Sequence, residues 1–105
     1  MKEISPEEYQ KKIAQKEEFQ LIDIREEFEV EYCGMNGEHI PMAEILDNTA
    51  KIRRDVPVIF HCQAGNRSQA VIYMLEKKHG YTNLYNLKGG VKGYATDIDD
   101  SLDCY

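Results

Sequence analysis

The segment Val56-Pro57-Val58-Ile59-Phe60-His61-Cys62 constrains this chain more than any other. Its apolar residues do not alternate with polar ones, so a strand built from it must be buried on both faces. Burial on both faces marks a parallel sheet covered by helices rather than a meander of hairpins. The continuation is equally restrictive. Gln63-Ala64-Gly65-Asn66-Arg67-Ser68 is short, polar and glycine-containing, and a helix is predicted from about Arg67 to His79. A strand turning through so tight a loop into a helix gathers backbone N–H groups at the strand's end, where Cys62 stands.

The rest of the chain repeats the alternation of strand and helix. Ser5-Pro6-Glu7-Glu8 is a capping box with proline in the first helical turn, so a helix is expected from Pro6 to about Lys16, with Tyr9 and Ile13 facing inward. Gln20-Leu21-Ile22-Asp23-Ile24 is a short apolar run bounded by charge and reads as a buried strand. A short helix over Glu26–Tyr32 and a brief strand at His39-Ile40, stopped by Pro41, follow. Ala43–Arg53 has apolar residues at mixed helical spacing and predicts an amphipathic helix. In the helix after Cys62 the apolar stripe is Ala70, Val71, Met74 and Leu75, with Gly80 placed for a left-handed cap. Leu84–Leu87 is a last short strand, and Gly89-Gly90 opens a final helical segment. The expected architecture is α/β, with a small, mainly parallel sheet flanked by helices on both faces. It forms one domain over residues 1–105, with an acidic tail from about Asp97 expected to be mobile.

Charge narrows the partners. Lys and Arg number 13 against 19 Asp and Glu, a net charge of −6, which disfavours nucleic acid and anionic membrane surfaces. No apolar run nears the roughly 20 residues of a membrane span, and the first residues lack the apolar core of a secretory signal, so a cytoplasmic location is expected.

The chemistry concentrates at Cys62. The N–H groups of Gln63, Ala64, Gly65, Asn66 and Arg67 can line an anion nest, and the positive end of the following helix lies behind them. Arg67 adds the loop's only full positive charge. All three effects favour thiolate over thiol, and such sites lower a cysteine from about 8.5 to roughly 3.5–7.5. Cys62 is then a nucleophile near neutral pH. Ser68 is placed to donate to it or to cap the helix. His61, its neighbour, points to the opposite face of the strand and reads as a satisfied buried histidine. Cys33, Cys62 and Cys104 are too widely spaced for a metal site, and none is expected.

His-Cys-Gln-Ala-Gly-Asn-Arg-Ser (61–68) resembles the active-site loop of rhodanese domains, which are sulfurtransferases. Three further segments resemble the family in the same order: Asp23-Ile24-Arg25-Glu26, Glu38-His39-Ile40-Pro41, and Leu87-Lys88-Gly89-Gly90 with Tyr94 where tryptophan is usual. Met42-Ala43-Glu44-Ile45 departs from the common pattern and looks like the rhodanese domains appended to adenylyltransferases of molybdopterin and other sulfur-carrier pathways. The resemblance implies a rhodanese-like fold and a persulfide formed on Cys62, with no metal or organic cofactor. It implies a sulfur donor, either thiosulfate or a persulfide-carrying protein such as a cysteine desulfurase, and an acceptor that is a thiol, cyanide or a sulfur-carrier protein. Arg67 would steady an anionic donor and the loop, and Asp23 and Arg25 would support the loop from the neighbouring strand. A cysteine-dependent phosphatase or arsenate-reductase-like enzyme is the mechanistic rival, and a non-enzymatic rhodanese-like binding module is the other. The phosphatase loop is one residue longer than the four residues that separate Cys62 from Arg67 here, and a module of that kind lacks the cysteine.

Overall fold

The computed structural model describes residues 2–99 and 101. The strand of the first apolar run, β4 (Val58–His61), lies at the centre of a five-stranded sheet in the order β1-β5-β4-β2-β3. The other strands are β1 (Lys2–Ile4), β2 (Gln20–Asp23), β3 (Glu38–His39) and β5 (Leu84–Leu87), and every pairing is parallel. The register sets Ile22 beside Phe60 and Asp23 beside His61, so β2 and β4 end level with one another. In an open parallel sheet that carboxyl edge is where sites form.

Alternation along β4 divides the core into two layers. Val58, Phe60 and then Cys62 join Ile22, Ile24, Val71, Ile72, Leu75 and Leu84 on one face, beneath α3 (Asn66–His79). Ile59 turns the other way, to Ile4, Tyr9 and Leu87, beneath α1 (Pro6–Ala14) and α4 (Gly90–Asp97). All four residues of β4 are fully buried, as the unbroken apolar run requires. Each large side chain buried there contributes roughly 1.5–3 kcal/mol.

Local signals decide several ends. Ser5 Oγ accepts from the Glu8 N–H at 3.1 Å while Glu8 Oε1 accepts from the Ser5 N–H at 2.9 Å, completing the capping box. Gly80 caps α3 in the left-handed conformation. The departures are informative. The expected strand at His39-Ile40 is Glu38–His39, and α2 spans Glu27–Tyr32. Ile13 is 48% exposed, because α1 buries only Pro6 and Tyr9. Tyr9 fills that space alone, edge-on to Phe19 and Tyr94 with ring centroids 5.4 and 5.6 Å away. The amphipathic segment is 3-10 helix over Met42–Lys51, broken at Asn48, rather than a regular α-helix. On α3 the inward face is Ser68, Val71, Ile72 and Leu75, and Ala70 is exposed. Ile98 and Asp99 turn back onto the Tyr94 carbonyl at 2.9 and 3.1 Å, and most of the tail beyond them lies outside the described residues. Among the described residues no helix is long and apolar enough to cross a membrane.

Candidate active site

Cys62 is a free thiol at the end of the central strand and is 1% exposed. The loop after it closes over the sulfur. Gly65, at φ 101°, is the N-cap of α3 and has no side chain with which to cap it. The sulfur does that work. Cys62 Sγ accepts from the N–H of Gly65 at 3.1 Å and of Ser68 at 3.4 Å, and the Arg67 N–H also faces it. These are the donors that a helix start leaves without intrahelical partners. A thiolate in the place of a capping carboxylate satisfies them and meets the positive end of the helix dipole.

Burial alone would push the Cys62 thiol up. The Ser68 hydroxyl and the N–H groups of Ser68, Gly65 and Arg67 outweigh it, and the thiol is held below its ordinary value. The N–H groups are the fixed part of this set. Ser68 Oγ stands 3.4 Å from Sγ, yet its hydroxyl also donates to Gly65 O at 3.2 Å and, in a short hydrogen bond, to Asn86 Oδ1. One hydrogen cannot serve all three acceptors. Asn86, on β5 and 1% exposed, also donates from Nδ2 to Gly65 O at 3.2 Å, which fixes its amide orientation. Ser68 is thus a link between the sulfur and Asn86 and not a helix cap.

The loop's carbonyls are turned away from the sulfur by α4. The Val91 N–H donates to Cys62 O at 2.9 Å and the Lys92 N–H to Gln63 O at 3.0 Å. This contact needs Gly90, at φ +63°: a Cβ there would lie 2.6 Å from Cys62 O and closer still to the Gln63 carbonyl. With the carbonyls engaged outside, the N–H groups are left pointing in. Of the remaining loop residues, Gln63 is half-buried, and Ala64 and Asn66 are exposed on the rim.

The Arg67 side chain interacts with the Cys62 sulfur and is paired with a carboxylate. Its Nη1 and Nη2 donate to the two carboxylate oxygens of Glu29 at 2.7 and 2.8 Å. Glu29, on α2, was not singled out from the sequence, where it is one of several glutamates on a short helix. Asp23 and Arg25 form a buried pair one layer further in. Arg25 Nε donates to Asp23 Oδ1 at 3.0 Å and Nη2 to Oδ2 at 2.7 Å, while Nη2 also reaches Cys33 O at 2.7 Å and Nη1 reaches Glu29 O at 3.4 Å. Burial would raise Asp23, but the Arg25 hydrogen bonds and the nearby His61 and Arg25 charges hold it below the usual carboxylate range. The pair ties α2 to the end of β2, and α2 in turn carries Glu29, the partner of Arg67.

His61 is fully buried, with Nε2 3.6 Å from Asp23 Oδ2, and burial lowers its affinity for a proton. Its ring nitrogens have no hydrogen-bond partner among the described residues, which corrects the expectation of a satisfied histidine. Cys104 lies outside the described residues. No group of three His, Cys, Asp or Glu side chains among the described residues is placed to hold a metal ion.

A rhodanese-like domain model matches residues 5–97. The uncharacterized protein YqhL of Bacillus subtilis is 40% identical over 80 residues, covering 75% of this chain and 63% of its own length. The adenylyltransferase and sulfurtransferase MOCS3 of Drosophila sechellia is 31% identical over an alignment of 110 residues that covers 97% of this chain and 24% of that protein. The chain thus spans less than two thirds of the length of either relative. Among solved structures, SSP1007 from Staphylococcus saprophyticus superposes with a TM-score of 0.82 at 29% identity, covering 98% of this chain and 99% of that one. A thiosulfate sulfurtransferase from Pseudomonas aeruginosa shares the fold at a TM-score of 0.83 and 21% identity, over 99% of this chain and 20% of its own.

Proposed function

The chain belongs to the rhodanese-like domain family, and we propose that within it the chain works as a sulfurtransferase that carries sulfur as a persulfide on Cys62. The observation that carries this reading is the sulfur's place as acceptor for the first N–H groups of α3, 3.1 Å from that of Gly65. Hydrogen bonds of this kind favour the thiolate over the thiol and prepare the nucleophile without a separate base.

In the first step the Cys62 thiolate attacks the outer sulfur of the donor. The bond between that sulfur and the rest of the donor breaks, and its electron pair leaves with the donor as sulfite from thiosulfate or as a thiolate from a persulfide. The product is Cys62–S–S⁻, whose negative charge remains within reach of the loop N–H groups. An acceptor thiolate or cyanide then attacks the outer sulfur, and Cys62 departs as thiolate. Exchange of this kind uses only the sulfur electron pairs. The four-residue interval between Cys62 and Arg67 makes a ring too small to be sized for a tetrahedral phosphate, which favours sulfur over phosphoryl transfer. A protein-borne persulfide as donor and a sulfur-carrier protein as acceptor fit the net charge of −6, which opposes approach of a free dianion.

Intact-mass spectrometry after incubation with thiosulfate, or with a persulfidated cysteine desulfurase, tests the reading. Wild type should gain one sulfur, released by cyanide, and Cys62→Ser should gain none. Hydrolysis of a phosphate ester by wild type without any sulfur gain would replace this reading with the phosphatase one.

A further inference from the structure

We infer that Glu29 is a specificity-determining residue of this site: by holding Arg67 in a bidentate ion pair it cancels the charge that the loop's cation would offer to free anionic donors and turns the site toward donors that do not depend on charge for capture. The inference rests on the sulfur-transfer reading above.

The geometry is specific. Nη1 and Nη2 of Arg67 each donate to one Glu29 oxygen, at 2.7 and 2.8 Å, so the carboxylate sits directly against the cation while the guanidinium stays within reach of the Cys62 sulfur. The Glu29 side chain is 8% exposed and that of Arg67 35%, so the carboxylate is the anchored partner and the guanidinium swings to it. Glu29 is fixed twice more: its Oε1 accepts from the Glu26 N–H at 3.1 Å, and its carbonyl accepts from buried Arg25. Hydrogen bonds from Arg67 hold the Glu29 carboxyl below its ordinary range, which favours its charged form. Arg67 and Glu29 together present no net charge to an incoming donor. The helix that carries Glu29 adds Glu27 and Glu31, so the field from that side is negative. The N–H groups of Gly65, Arg67 and Ser68 are directed at the sulfur already seated there.

Two small donors that share one reaction and differ in charge make the test. Thiosulfate is a dianion and methanethiosulfonate a monoanion. Each yields its outer sulfur to the Cys62 thiolate while the S–S bonding pair leaves on sulfite or sulfinate. In Glu29→Gln, which keeps an acceptor for the Glu26 N–H, KM for thiosulfate should fall on the order of tenfold at low ionic strength, and KM for methanethiosulfonate about threefold. The kcat values should hold, and Glu29→Asp, which keeps the charge, should stay near wild type. A purely structural role would impair both donors alike and would not scale with donor charge. Unchanged or higher KM for thiosulfate in Glu29→Gln overturns the inference.

Wild type alone supplies a second reading, which does not depend on how the variants fold. With Arg67 neutralised, salt screens only the repulsive field, so kcat/KM for thiosulfate should rise with ionic strength. A steep fall with salt means an unpaired cation captures the anion, and the inference fails. Absence of any sulfur gain on wild-type Cys62, with every donor, would instead overturn the function beneath it.

Discussion

Replacing Gly90 by alanine asks whether α4 shapes the active loop, and Gly80 supplies the control. Both glycines are left-handed, at φ +63° and +68°, so alanine at either position carries the same intrinsic penalty of about 1–2 kcal/mol. The stiffer unfolded chain returns about 0.4–1 kcal/mol in each case. Their surroundings differ. A Cβ at Gly80 meets nothing within 4 Å, whereas one at Gly90 lies 2.6 Å from Cys62 O and nearer to the Gln63 carbonyl. Those neighbours are backbone and cannot rotate aside, so overpacking adds roughly 1–3 kcal/mol or more. A domain of this size loses about 4–8 °C of Tm per kcal/mol. Gly80→Ala should therefore lower Tm by about 4–8 °C, and Gly90→Ala by at least twice as much. The larger effect should come with a chemical one. Relief of the clash moves the Cys62 and Gln63 carbonyls off α4, disorders the N–H set around Sγ, and slows sulfur loading. Circular dichroism melts and intact-mass loading, run on both variants at one pH, give the comparison. Equal losses of Tm with undiminished loading in Gly90→Ala would falsify the claim that α4 holds the loop's carbonyls away from the sulfur.

Three further outcomes follow from the same geometry. Iodoacetamide alkylation of Cys62 against pH should show a midpoint below the free-thiol value of about 8.5, and Arg67→Gln should move it only part of the way back, because the backbone N–H groups hold the thiolate more than the guanidinium does; a return to the free-thiol midpoint refutes this ranking. Asp23→Asn leaves Arg25 buried without its counter-charge and should cost about 3–5 kcal/mol in denaturant unfolding. Because Asp23 is held below its unfolded value, its contribution is fully present above about pH 4 in wild type and is lost as pH falls through its folded pKa, so acid sensitivity below pH 4 should be weaker in the variant. Asn86→Ala should cost about 1–3 kcal/mol and lower the alkylation midpoint further, since the Ser68 hydroxyl is then released to donate to Sγ; a higher midpoint would show that Asn86 acts by holding Gly65.

How much of this was legible beforehand depended on whether the signal was local. The buried central strand, the turn at Gly65 and the Ser5 box are written in consecutive residues, and each stands where such residues place it. Strand β1 was not readable, because Lys2-Glu3-Ile4 buries only Ile4 and becomes a strand through pairing with β5 more than 80 residues away. The segment after Pro41 has helical spacing, but nothing in its pattern distinguishes a 3-10 path broken at Asn48 from an α-helix. At the site, Cys62 and its loop were legible, since strand, glycine turn and helix are contiguous. Glu29 and Asn86 were not. Each acts across 38 and 18 to 21 residues of chain, on Arg67 and on Ser68 and Gly65, and becomes visible only when β2, β4 and β5 end together. The capping box of Glu26 and Glu29 carried a hint, because it fixes a carboxylate at the first turn of α2.

The sulfur's partners in this site include main-chain groups and the Ser68 hydroxyl, held from behind by Asn86 and by the first turn of α4. Inheritance can therefore treat the two sides of the loop differently. Substitutions at Ala64 and Asn66, whose side chains stand on the exposed rim, alter what an approaching surface meets and leave the amides around Cys62 where they are. Gly65, Ser68, Asn86 and Gly90 offer no such freedom, since each is committed to the position of a backbone group. A lineage built on this scaffold can exchange one delivery partner for another by rewriting a few rim side chains, with the reactivity of the thiol passed on unaltered.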